Sequence, residues 1–150
     1  MIVSSTYAPA MNGQTVFTTN LVKGLVKHGH NVMVVMDSHH DRPAHSLVNG
    51  VQLEQLKSVS LSFLHAGVYF SPFPGGELRR LIHNFQPDII HIQDHYPSCS
   101  SAVKAARKLH IRLVGSNHFI PENLGPYILG YSKIKPIFNW LLWQWMLSDY

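Results

Sequence analysis

Apolar positions along the chain fall into short dense runs separated by amphipathic stretches, the alternation expected of an α/β protein. Ile2–Ser5 and Asn31–Met36 are compact aliphatic runs and predict strands buried on both faces. Between them, Tyr7–Gly13 (YAPAMNG) is turn-forming. The segment after it, to about His28, places Phe17, Leu21, Val22, Leu25 and Val26 on one helical face. Lys23, Lys27 and His28 crowd its last turn, where the helix dipole favours cations, and Gly29 ends it. Strand, Gly-containing turn, helix and strand make the first unit of a doubly wound sheet.

Farther along, Ser38–Asn49 is polar and His-rich and reads as a loop. Val51–Leu56 alternates apolar and polar residues, the pattern of a strand with one wetter face at a sheet edge. Lys57–Pro74 carries little periodicity. Its aromatics Phe63, Tyr69, Phe70 and Phe73 suit either the underside of the sheet or the rim of an entrance. Pro74–Phe85 is helical, with Leu78, Leu81, Ile82 and Phe85 at helical spacing.

The organising unit is Gln86–Leu124. Asp88–Gln93 predicts a buried strand. Pro97 and Ser98 open a helix, Pro suiting the first turn and Ser able to cap it. Ala102, Val103, Ala106 and Leu109 form the apolar stripe of that helix, with Lys104, Arg107 and Lys108 opposite, and Ile111–Gly115 is the next strand. Parallel strands joined this way finish on the same sheet edge. One ends in Gln93, Asp94 and His95, the other in Ser116, Asn117 and His118. Open α/β sheets bind ligands at that carboxyl edge. After a Gly- and Pro-interrupted connector, Ile137–Leu147 predicts a helix apolar on almost every side. Such a helix is buried, or lies on another domain or a membrane.

At 150 residues the chain is long enough for one domain with a real core. Charged residues make up only 13%, about half the usual ~25%, so either much of the surface is uncharged or some apolar surface is covered by something else. A net charge of +4 favours phosphate or an anionic surface, while the Lys/Arg density is too low for a nucleic-acid binder. The single cysteine, Cys99, fits a reducing, cytoplasmic setting. Residues 1–20 do not read as a signal peptide. Pro136–Leu147 is short of the ~20 residues a membrane span needs.

Several constellations can be weighed by their chemistry. Asn12–Gly13 stands where a backbone could approach a phosphate at a helix start, or serves as a plain turn. A dinucleotide site would need G-x-G-x-x-G there. The loop has one glycine, although Asp37 stands where a ribose-binding acid would. His91, Asp94 and His95 do not converge on one side of a strand as metal ligands should, and His39, His40 and Asp41 form a polar loop cluster. Ser98, Ser100 and Ser101 lack a nucleophile elbow. Cys99 at a helix start reads as a packed thiol. His118 is the strongest single candidate. It follows a buried strand, at the ligand edge, among Ser116, Asn117, Glu122 and Asn123, and by spacing alone it serves equally well as a residue that caps the strand end.

Taken together, three segments resemble the amino-terminal, acceptor-binding half of glycosyltransferase family 4, of the GT-B fold. YAPAMNGQTVFTTNLVKGLVKHGHNVMVV is similar to the family's opening, PDIIHIQDH to its central strand, and GSNHFIPENL to the segment carrying its active-site histidine. The last is closest to members that glycosylate lipids of the diacylglycerol or phosphatidylinositol type. The resemblance implies a Rossmann-like open parallel sheet with helices on both faces. It implies a partner domain that binds the nucleotide-sugar, so residues 1–150 are expected to be one half of a larger enzyme, inactive alone. It further implies retaining transfer of a hexose without a metal ion or other cofactor. His118 would act beside the transferred sugar. Gly13 and Asn12 would approach the donor diphosphate, and Tyr7, Asp94 and Glu122 would line the acceptor side. The expected partners are a nucleotide-sugar, a lipid, glycan or small-molecule acceptor, and the inner face of a membrane, with the tryptophans 140, 143 and 145 either at that membrane or against the partner domain. The alternative readings are a non-catalytic module binding a nucleotide or phosphosugar, and an NAD-type dehydrogenase domain, against which the missing glycine fingerprint counts.

Overall fold

A computed structural model describes residues 1–38, 42–60, 69–118 and 131–148. The elements run β1 (Ile2–Ser4), α1 (Gly13–Lys27), β2 (Met33–Asp37), β3 (Ala44–Val48), β4 (Val51–Leu56), β5 (Val59–Ser60), β6 (Tyr69–Phe70), α2 (Gly75–Phe85), β7 (Ile89–Ile92), α3 (Pro97–Leu109), β8 (Arg112–Gly115) and α4 (Tyr131–Leu147). Six strands form one sheet in the order β3-β4-β2-β1-β7-β8, parallel except for β3 against β4. The chain is therefore an α/β protein with a Rossmann-like, mostly parallel sheet.

The position of β1 follows from its residues. Ile2 and Val3 point to opposite faces, and both are buried. Val3 joins Met33, Val35, Ile90, Ile92 and the inner sides of α2 and α3 in one core. Ile2 joins Val34, Met36, Leu53 and Val22 of α1 in the other. The α3 stripe is built from Ala102, Val103, Ala105 and Ala106, small enough to bring the helix close to the sheet. Leu109, expected in that stripe, is half exposed at the helix end. Phe17 also leaves the predicted helical face: Thr15, Thr18 and Val22 are buried instead, and Phe17 turns toward the carboxyl edge.

The segment 44–48, predicted as loop, is the edge strand β3, so β4 lies one place inside the sheet. The two are joined by Asn49–Gly50, both with positive φ (51° and 79°). That is the conformation a tight primed hairpin turn demands, and Asn-Gly meets it with little strain. The α1-facing side of β7 and β8 is less covered than expected, with Ile89 and Val114 both near half exposure. Helix α4 begins earlier than predicted and contains Pro136. It buries Asn139 and Met146 while Ile137, Trp140, Leu141 and Leu147 stay in solvent. No described helix is long and apolar enough to cross a membrane.

Candidate functional site at the carboxyl edge of the sheet

The polar ends of β1, β2, β7 and β8 meet the start of α1 at one edge. Helix α1 begins at Gly13 because Asn12, in extended backbone, caps it: Asn12 Oδ1 accepts from the Thr15 amide at 2.9 Å. The Val16 amide bonds the Asn12 carbonyl at 3.1 Å. The amides of Gly13 and Gln14 come before the helix's own ladder and so have no intrahelical acceptor. Gly13 is exposed, and a methyl group added there would meet no atom within 4 Å. This tip can receive an anion.

Behind it lies Asp94, 2% exposed. Its Oδ2 accepts from the Ser5 amide at 2.7 Å and from Gln14 Nε2 at 2.6 Å, and its Oδ1 accepts from the Tyr96 amide at 3.0 Å. Gln14 Nε2 also reaches Ser4 Oγ at 3.0 Å. Asp94 thus ties the β1–α1 loop to the loop leading into α3. Tyr7, from the same β1–α1 loop, is buried in the α1 core, where burial raises its phenol above the ordinary range.

His118 stands beside α1. Its ring lies 4.7 Å from that of Phe17, tilted by 56°. Its Nε2 is 3.2 Å from Gln93 Oε1, which is 3.4 Å from Thr18 Oγ1. Gly13 and Phe17 are four residues apart on α1 and share a helical face, so the helix tip and His118 belong to one wall. The sequence places Phe17 on the apolar face of α1 and Gln93 among the polar strand ends, and singles out neither Gln14 nor Thr18. The signal of those two was only position, within the first two turns of α1.

Asp37, at the end of β2, is 1% exposed, and among the described residues neither carboxylate oxygen has a well-formed hydrogen bond. Burial drives its pKa up to about 7, and Asp94 adds to the rise. The hydroxyls of Ser71 and Ser98 moderate it without closing a well-formed bond. Ser98 does not cap α3: Tyr96 holds that position. Cys99 is fully buried and its thiol donates to the Val3 carbonyl at 3.4 Å. Burial pushes that thiol well above its ordinary value, so it is no nucleophile. His91 bonds Ser116 Oγ at 2.9 Å between β7 and the end of β8, and His95 faces Trp145 of α4 edge-on at 6.1 Å. Among the described residues no three His, Cys, Asp or Glu side chains converge as a metal site. Glu122, Phe63 and the cluster His39, His40 and Asp41 lie outside the described residues.

Two cavities, of about 510 and 370 Å³, lie toward the opposite edge, near Gln86 and Pro87. Neither is lined by Gly13, Asp94 or His118. The carboxyl edge is marked by its chemistry, with the exposed Gly13 tip and His118 on it. The family model described as Glycosyltransferase Family 4 matches residues 11–150. No curated protein matches the chain.

Proposed function

The chain belongs to glycosyltransferase family 4, and from that premise we propose that it forms the acceptor-side wall of a retaining hexosyltransferase that uses a nucleotide-sugar. The observation that carries the proposal is the wall itself: His118, braced by Phe17 and Gln93, on the same face of the molecule as the open tip of α1. Departure of a diphosphate from an oxocarbenium-like centre demands positioned donors and little else. In this reading the Gly13 tip receives the diphosphate, with Asn12 shaping it through its cap. His118 hydrogen-bonds the transferred sugar. Tyr7, Asp94 and Glu122 belong to the acceptor side, Asp94 acting through the loops it ties together. A second domain supplies the nucleotide-sugar and the opposite wall.

A membrane lipid is the acceptor class we favour. Helix α4 exposes Trp140, Trp143 and Trp145, carries Lys133 and Lys135 near its start, and contains no acidic residue. Aromatic and basic residues on one exposed helix suit an anionic lipid surface at the inner face of a membrane. The test is nucleoside-diphosphate release by the two-domain enzyme, with lipid and soluble acceptors compared. His118→Ala should lower transfer by more than about tenfold while the circular dichroism spectrum is unchanged. Unchanged turnover would refute the role of His118. Transfer to soluble acceptors alone would refute the lipid reading.

A further inference from the structure

We propose that Gln93, anchored on Thr18, is a positioning residue that sets the tautomer of His118, placing the imidazole proton on Nδ1. The argument begins with Thr18, whose hydroxyl has one hydrogen. Thr18 Oγ1 lies 2.8 Å from the Gln14 carbonyl, which can only accept. The proton is therefore committed there, and none remains for Gln93 at 3.4 Å. With its oxygen toward Thr18, the Gln93 amide would face an acceptor with an acceptor. Its NH₂ group would stay buried without a partner.

Oxygen and nitrogen of a glutamine side chain are told apart by their partners. Turning the amide over gives Thr18 the donor it lacks and leaves His118, whose ring can either donate or accept at Nε2, to accept. Gln93 then donates one hydrogen to Thr18 Oγ1 and the other to His118 Nε2. The group left unpaired becomes one carbonyl oxygen in place of two N–H donors, and an under-satisfied carbonyl is the commoner and cheaper case. Gln93 is fully buried and Thr18 equally so, which leaves no solvent to take over either contact.

With Nε2 accepting, the imidazole proton sits on Nδ1, the ring nitrogen that Gln93 does not engage. His118 is then a hydrogen-bond donor at Nδ1, with its ring plane steadied by Phe17. A donor there fits an oxygen of a sugar hydroxyl. That use rests on the glycosyl-transfer reading, whereas the tautomer stands on the geometry alone.

The experiment is long-range proton–nitrogen NMR of the full chain labelled with ¹⁵N, with the His118 ring assigned by its loss in His118→Asn. The expected result is a pyrrole-type Nδ1 and a pyridine-type Nε2. A pyrrole-type Nε2, or an averaged pair, overturns the proposal and needs no further variant. Gln93→Leu and, should that chain not fold, Thr18→Val are expected to abolish the preference for Nδ1–H. Persistence of that preference in a folded variant also overturns it. In the two-domain enzyme, Gln93→Leu should lower kcat by about tenfold, because the imidazole loses the contact that positions it. A confirmed tautomer beside a fully active His118→Ala would refute the transferase role and leave the tautomer assignment standing.

Discussion

Removal of the Asp94 carboxylate should loosen the wall and the fold together. Asp94→Ala strands three donors, now bound at 2.6, 2.7 and 3.0 Å. Gln14 keeps Ser4 Oγ and is only half buried, so its loss is small. The Ser5 and Tyr96 amides, in part-buried residues, each lose their bond to the carboxylate. An orphaned buried donor costs about 1–3 kcal/mol and a hydrogen bond to a charged group contributes about 1.5–3 kcal/mol, so the total is about 3–5 kcal/mol. Asp94→Asn can keep its oxygen toward Ser5 and Gln14 while its NH₂ opposes the Tyr96 amide, and should cost about 2 kcal/mol. All three tryptophans lie on α4. Urea unfolding is therefore better followed by far-ultraviolet circular dichroism than by fluorescence. At about 2 kcal/mol/M the midpoint should fall by about 2 M for Ala and 1 M for Asn. Gln14→Ala should cost less in the Asp94→Ala background, where only its bond to Ser4 Oγ is left to lose. A loss below about 0.5 kcal/mol for Ala, the range of an ordinary surface substitution, would refute the tie between the two loops.

Gly13→Ala tests the helix tip. No described residue opposes a methyl there, so stability should hold or rise by about 0.5 kcal/mol. Transfer should nevertheless fall more than about tenfold, and normal transfer would mean that no ligand backbone or phosphate comes close. Asp37 predicts a pH dependence of folding. Its folded pKa, about 7, lies above the ordinary 3.8, so the folded chain holds the proton more tightly than the unfolded one. Stability should therefore be undiminished below about pH 4 and fall as pH rises toward 7, by up to about 4 kcal/mol. Asp37→Asn should flatten that decline and raise the denaturation midpoint at pH 8; an unchanged profile would place the titrating group elsewhere. Gly50→Ala should cost about 1–2 kcal/mol by thermal unfolding, through its φ of 79° and not through any clash.

The parallel sheet was legible in its central strands β1 and β2, dense aliphatic runs buried on both faces, while β8, mostly exposed, was legible through the strand–helix–strand order around α3. Strand β3 was missed because AHSLV is mostly exposed, and burial is what writes a strand into a sequence. Its signal was Asn49–Gly50, a hairpin turn hidden in a polar stretch. Phe17 was misread for the opposite reason. Helical periodicity reports which residues share a face, not whether the sheet is wide enough to cover it, and β7 and β8 leave that side partly open. His118 could be singled out by its place after a strand. Its support could not, since Thr18 and Gln93 are 75 positions apart and no spacing links them.

The open side of β7 explains why the site is built from polar bonds. Apolar contact holds α1 over β1, β2 and β4, where Val22 meets Ile2, Val34 and Leu53. Toward β7 that grip weakens, and Ile89 is 43% exposed. At the carboxyl edge two neighbouring residues after β7 take over. Asp94 holds Gln14 and Gln93 contacts Thr18, one helical turn farther along, while Thr18 itself bonds back to the Gln14 carbonyl. Apolar surfaces tolerate small slides, whereas the 2.6 Å bond from Gln14 to Asp94 is directional and fixes distance and register between helix and sheet, with the longer 3.4 Å contact of Thr18 and Gln93 beside it. The tip of α1 and the residue that contacts His118 are therefore set by the same short segment. A shift of α1 that would move Gly13 must also break the Thr18 contact with Gln93, so the two ends of the proposed wall are bound to keep their spacing.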